Sequence, residues 1–279
     1  MMPACPLIRL NFLKNPVFLW SLAIVITAAS AIYQRHTGPT YPVEGELTLA
    51  GETIHYALTR SATTGADTPV VLGLPDASMT AYLHFRRYKS YDEWTLVPMT
   101  RQADGTVMAL LPDQPAAGKI MYRVLVKTSR LDPVSLTGEE PVIIRYKGAV
   151  PTAVLIPHVL FMFGAMLLSN RTGLEALSSQ AKPRKLMFWT IAFVILGGLI
   201  FGPVVQKFAF DAFWTGVPFG YDLTDNKTLI AFLGWLFAWW KNRGEAQSRG
   251  AILFATLLML VIFMIPHSVL GSELDYTGM

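Results

Sequence analysis

The stretch VFLWSLAIVITAASAIY, residues 17–33, carries no charged side chain. A bilayer core about 30 Å thick asks for roughly 20 mostly apolar residues in a helix, so this segment reads as a membrane span. Four more stretches come close to the same form: 153–168, 186–205, 228–240 and 251–265. The last two are short. The charged turn from Lys241 to Arg249 separates them, which suits a hairpin of two spans better than one interrupted helix. Hydrophobic residues make up 52% of the chain and charged residues 15%, against about 25% charged in a soluble domain. The deficit is concentrated after residue 150, so the chain reads as a membrane protein with a soluble insert.

Lys and Arg in short loops mark the cytoplasmic side of a membrane. Arg9 and Lys14 precede the first span, Arg171, Lys182, Arg184 and Lys185 lie between the second and third, and Lys241, Arg243 and Arg249 between the fourth and fifth. If all five segments cross, these groups share one side. That predicts a protein of the cytoplasmic (inner) membrane with residues 35–150, the loop 204–227 and the C-terminus extracytoplasmic. Small residues Ala28, Ala29, Ser30 and Ala31 also give the first segment the look of a secretory signal peptide; retention as an anchor is the expectation, and cleavage would leave 35–150 outside all the same. The net charge of +4 comes without a long basic run and does not point to nucleic acid. Cys5 is the only cysteine, which excludes an intrachain disulfide.

Between residues 42 and 147 the hydrophobic period switches to two. Thr53–Leu58, Tyr82–Arg86 and Lys119–Leu125 alternate, and 43–50, 70–74, 93–98, 106–111 and 142–146 are further candidates. Turn signals separate them at Ala50-Gly51, Pro75-Asp76, Asp104-Gly105 and Pro112-Asp113. Seven or eight short strands predict an antiparallel β-sandwich. The run Pro115-Ala116-Ala117-Gly118 leading to Tyr122-Arg123-Val124 resembles the corner that opens a late strand in immunoglobulin-like and fibronectin type III domains. Trp94 would suit the core between the sheets. The expected architecture is thus an α+β membrane protein in three parts. Residues 1–34 form a cytoplasmic tail and anchor, 35–150 an extracytoplasmic sandwich, and 151–279 a bundle of four transmembrane helices. His55 and His84 read as ordinary strand residues. Arg86, Arg87 and Lys89, beside Tyr88 and Tyr91, form either a solvated strand end or a contact for anionic headgroups or an acidic partner.

Polar residues gather on the predicted outer side. Ile-Pro-His occurs at 156–158 and again at 265–267, each time at the outer end of an expected span. The loop 204–227 sets Gln206, Lys207, Asp211, Asp222, Asp225, Asn226 and Lys227 among Phe208, Phe210, Phe213, Trp214, Phe219 and Tyr221. An interfacial aromatic belt accounts for the rings. The acids need more, because an ionised carboxylate in apolar surroundings is costly unless paired. Phe208, Asp211, Ala212 and Thr215 would share one face of a short interfacial helix, which Gly216, Pro218 and Gly220 then break. Asp225 or Asn226 is suited to cap the next helix. With the tail residues, the candidate outer-face site comprises His158, Gln206, Lys207, Asp211, Trp214, Asp222, Asp225, Asn226, Lys227, His267, Glu273 and Asp275.

No HExxH, GxSxG, Walker or CxxCH motif is present. Their absence favours a scaffold or accessory subunit of an extracytoplasmic-facing membrane complex, touching the lipid bilayer through its spans and a protein partner through its β-domain. The alternative is a metal or b-type haem held by His158 and His267, with Asp211, Asp222, Asp225 or Glu273 completing a metal site. A third option is an outer-leaflet enzyme using Asp222 and Asp225 with His267 as base. A transporter has less support, since no repeat is visible.

Overall fold

Apolar runs form helices and period-two runs form strands. The computed structural model describes residues 15–129, 131–177, 183–244, 247–267, 271 and 273–278; Cys5, Arg9, Lys14 and Lys182 lie outside them. The described chain is mixed α+β and divides into two compact units. The helical unit comprises Met1–Thr37, Thr152–Val205 and Trp214–Val269, and the β unit comprises Gly38–Pro151, Gln206–Phe213 and Leu270–Met279.

Among the described residues the helices are α1 (Pro16–Thr37), α2 (Thr152–Ala176), α3 (Arg184–Phe210), α4 (Leu223–Lys241) and α5 (Arg249–Met264). By length and composition α1, α2 and α3 can each cross a membrane, while α5 is a shorter apolar helix. A π-helical stretch, Ile195–Phe201, interrupts α3. The helical core is built from Ala165, Met187, Val194, Trp235, Ile252 and Met259, all buried. Trp235 is fully enclosed, and its Nε1 donates to Met259 Sδ at 3.2 Å. Asn242 knits the turn between α4 and α5. Its Nδ2 donates to the Ala238 carbonyl at 2.7 Å, and its Oδ1 accepts from Ser248 N at 2.9 Å. That turn is the hairpin expected from the charged run.

The β unit contains β1 (Val43–Leu49), β2 (Glu52–Leu58), β3 (Ser61–Thr63), β4 (Thr68–Gly73), β5 (Thr80–Arg87), β6 (Thr95–Pro98), β7 (Thr100–Arg101), β8 (Thr106–Leu111), β9 (Lys119–Lys127), β10 (Val134–Ser135) and β11 (Val142–Lys147). They form a hairpin β1-β2, a sheet ordered β3-β11-β9-β5-β6 with β10 added on β9, and a sheet ordered β4-β8-β7. Ala50 and Gly51 close the first hairpin at φ of 55° and 90°, and two positive φ values are what a two-residue turn needs to match strand twist. Strands from all three sheets feed one core, with Ile54, Leu72, Leu83, Leu111, Tyr122, Val124 and Ile144 buried. The short strands β3, β7 and β10 were not foreseen, since two or three residues are too few to display a period.

The Tyr122 hydroxyl donates to the Thr59 carbonyl at 2.8 Å, ahead of β3. Two expectations are corrected. Pairing is not wholly antiparallel, because β3 runs parallel to β11. Trp94 is not a core residue: it is half-buried on the face of the large sheet turned away from the core, with its ring centroid 4.6 Å from that of His84. Alternation in β5 buries Ala81 and Leu83, which leaves His84 on the opposite face with Trp94.

Leu83→Ala should lower the stability of the β unit by about 2–5 kcal/mol, the usual cost of a core truncation. Leu96→Ala, at an exposed position of the same sheet, should change it by less than about 0.5 kcal/mol. Hydrogen exchange of the peptide spanning β9, measured on the full chain in detergent, distinguishes the two.

Candidate functional site

The start of α4 carries four of the foreseen polar residues. Asp222 is its N-cap, with Oδ1 accepting from Thr224 N at 2.8 Å and Asp225 N at 3.4 Å. The cap therefore falls on Asp222 and not on Asp225 or Asn226. Those two hold the preceding loop. Asp225 Oδ2 accepts from Thr215 N at 2.6 Å and Gly216 N at 3.0 Å, and Asn226 Oδ1 accepts from Val217 N at 2.7 Å. A Cβ on Gly216 would lie 2.6 Å from Asp225 Cβ, so the absence of a side chain there lets the loop close on the helix. Trp214 Nε1 turns back to the Val217 carbonyl at 3.1 Å. Capping satisfies backbone donors that a helix start leaves open, and a carboxylate accepting two amides does the same for the loop.

One turn on, Lys227 is buried and its Nζ donates to the Ile265 carbonyl at 2.8 Å, at the end of α5. Gln34 of α1 donates to the Phe263 carbonyl at 2.7 Å. A helix C-terminus presents unsatisfied carbonyls and a partial negative charge, which an ammonium and an amide complement. Gln34, Lys227 and His267 line a narrow cavity together with Met162, Thr228 and Met259. His267 is within electrostatic range of Lys227 and His158. His158 Nδ1 lies 2.9 Å from the Gly197 carbonyl in the π-helical stretch. Of the four groups expected to lie together on the outer side, His158, Asp225 and His267 belong to the helical unit and Asp211 to the β unit. Among the described residues, however, no three His, Cys, Asp or Glu side chains converge as metal ligands.

The remaining candidates belong to the β unit. Asp211 does not lie on a helical face with Phe208, Ala212 and Thr215, because α3 ends at Phe210 and Asp211 adopts a φ of 61°. It is exposed and paired with Lys207 at 2.6 Å, and that hydrogen bond holds its carboxyl below the ordinary carboxylate range. Gln206 lies just before this pair and is half-buried. Glu273 binds both Lys89 and Lys119. Asp275 accepts from Thr277 N at 2.9 Å. Backbone bonds tie the tail down further, from Leu274 N to the Ala117 carbonyl at 3.3 Å and from Tyr276 N to the Lys89 carbonyl at 2.9 Å. Tyr276 is buried beneath Arg87, whose guanidinium carbon is 4.5 Å from the ring centre.

Gln34, Lys119, Tyr276 and the grouping of His84, Arg86 and Arg123 about Trp94 escaped the sequence reading. Each acts across a large gap in the chain, and only the basic cluster at 86–89 offered a signal. Chemically, Asp222, Asp225, Asp275 and Lys227 act on backbone groups, while Asp211 and Glu273 pair with lysines. They form caps and clasps, not an acid–base pair facing a common space.

Asp225→Ala strands two amides, a loss of about 1–3 kcal/mol. Limited proteolysis should then cut 214–222 about tenfold faster or more, while Asp225→Asn, which keeps an acceptor, should show a smaller effect. At Glu273, burial alone would raise the carboxyl, but hydrogen bonds and charges from Lys119 and Lys89 outweigh it and hold it below the ordinary carboxylate range. A depressed folded value means its contribution to tail docking is complete above the unfolded value and is lost as pH falls through the folded one. Hydrogen exchange at 274–278 should therefore speed up on acidification below that range, and Glu273→Gln should speed it already at neutral pH.

The chain matches no protein-family model and no curated protein.

Proposed function

We propose that this protein is a scaffold or accessory subunit of a membrane complex. Its helices anchor it in the cytoplasmic membrane, with the β unit and tail on the far side as an immunoglobulin- or fibronectin III-like sandwich that meets a protein partner. The observation that carries this is the commitment of Asp222, Asp225, Asn226 and Lys227 to backbone groups at helix ends and in one loop. Groups used in this way brace a fold, whereas a general acid and base need distinct environments around a shared substrate.

Connectivity supports the orientation. Segments of the β unit follow α1 and α5, precede α2 and include the end of α3 from Gln206. Arg171, Arg184, Lys241 and Arg249 sit toward the opposite helix ends, where the positive-inside tendency places the cytoplasm. The strand order β11-β9-β5-β6 beside β4-β8 supports the sandwich.

Native gel electrophoresis of mildly solubilised membranes tests the proposal. The wild type should migrate in a complex with another protein, and Asp225→Ala should reduce that complex only in proportion to folded protein. A variant of Asp225 or of His158 and His267 that folds at wild-type level yet abolishes a bound metal, a Soret band or a turnover would overturn it.

A further inference from the structure

Four cations of the β unit have acidic partners among the described residues. Arg87 binds Asp92 at 2.6 Å, Lys89 and Lys119 share Glu273, and Lys207 binds Asp211. Arg86 and Arg123 differ. Among the described residues neither has a carboxylate within ion-pair distance. Both lie instead against Trp94, their guanidinium carbons 5.2 and 5.3 Å from its ring centre. His84 sits directly across from Arg123 in the β5–β9 ladder and covers the same ring. Arg86 Nε donates only to Met121 Sδ at 3.2 Å, Arg123 Nη2 donates to the Glu139 carbonyl, and Arg123 Nε has no partner.

A ring satisfies the flat face of a guanidinium but none of its five N–H donors. Two guanidiniums held in place by stacking can still offer terminal Nη donors to carboxylates, while Arg123 Nε is buried and Arg86 Nε is spent on Met121. Their fixed orientation lowers the entropic cost of binding. Burial, then the Arg123 charge, holds His84 below the ordinary histidine range, so the two guanidiniums carry the charge of this patch at neutral pH. Beside it Leu96 of β6 is 54% exposed, directly across from His84, and gives an apolar rim. Because His84 and the two guanidiniums occupy the Trp94 ring, the patch favours carboxylates over stacked sugars.

We infer that this face, formed by His84, Arg86, Trp94 and Arg123, docks an acidic, extended segment of a protein partner. The inference rests on the scaffold proposal and names its surface.

The test uses the full chain in non-ionic detergent with fluorescein-labelled hexaglutamate, read by anisotropy. Binding should weaken with added salt and fall about tenfold or more in the Arg86→Gln/Arg123→Gln double variant. Hydrogen exchange at β9 must stay at wild-type level in that variant. With fluorotryptophan incorporated, the resonance that Trp94→Phe removes should shift on adding the peptide. Equal binding by the double variant overturns the inference. So does a stronger response to heparin or to phosphatidylglycerol vesicles at equal charge, which would assign the face to a polysaccharide or a membrane. On native gels, a complex that survives the double variant defeats this surface but leaves the scaffold proposal standing. No complex in wild-type membranes defeats the scaffold proposal, and the hexaglutamate titration still decides the patch.

Discussion

Seven residues at the start of α4, Asp222 to Thr228, tie the helical unit together. Asp222 caps the helix, Asp225 and Asn226 hold the loop at 215–217, and Lys227 closes on the end of α5. Thr228 sits against α3 where Gly198 leaves room, for a Cβ there would lie 2.6 Å from the threonine methyl. The polar contacts among these answer the same constraint. Backbone amides and carbonyls at helix ends and turns keep their hydrogen-bonding demand, and where water is scarce side chains must meet it. The α5 terminus is the clearest case, with Gln34 from α1 and Lys227 from α4 meeting on its last carbonyls.

The β unit meets a different constraint. Its apolar alternation already buries a continuous core, so charged side chains are left for surface duties. The tail residues join the β unit through Glu273, Tyr276 and two backbone bonds. A chain end without such ties is ordinarily frayed. The same surface chemistry, with the acid missing, leaves Arg86 and Arg123 stacked on Trp94. The contrast between the two cationic groups of this unit is what separates an internal clasp from a surface suited to a partner.

Polar side chains are thus used differently in the two units. In the helical unit Asp222, Asp225, Asn226 and Lys227 bind backbone groups at helix ends and in one loop. In the β unit the uncommitted groups face outward from the core. An accessory role is the reading most economical with both observations.

Spans, strands and turns were legible from the amino-acid order because each is a local property. The apolar length of 17–33, the alternation of 119–125 and the Ala50-Gly51 turn need no distant partner to act. What each polar group does was a different matter. Asp222 rather than Asp225 became the cap because α4 begins earlier than its apolar run, and Asp211 left the helix because α3 stops at Phe210. Trp94, expected inside, lies outside because Leu83 and not His84 takes the core side of β5. Hydrogen bonds and cation–aromatic contacts act over a few ångströms between residues far apart in the chain. Periodicity determines which residues share a face, and tertiary packing alone decided which partners those faces meet.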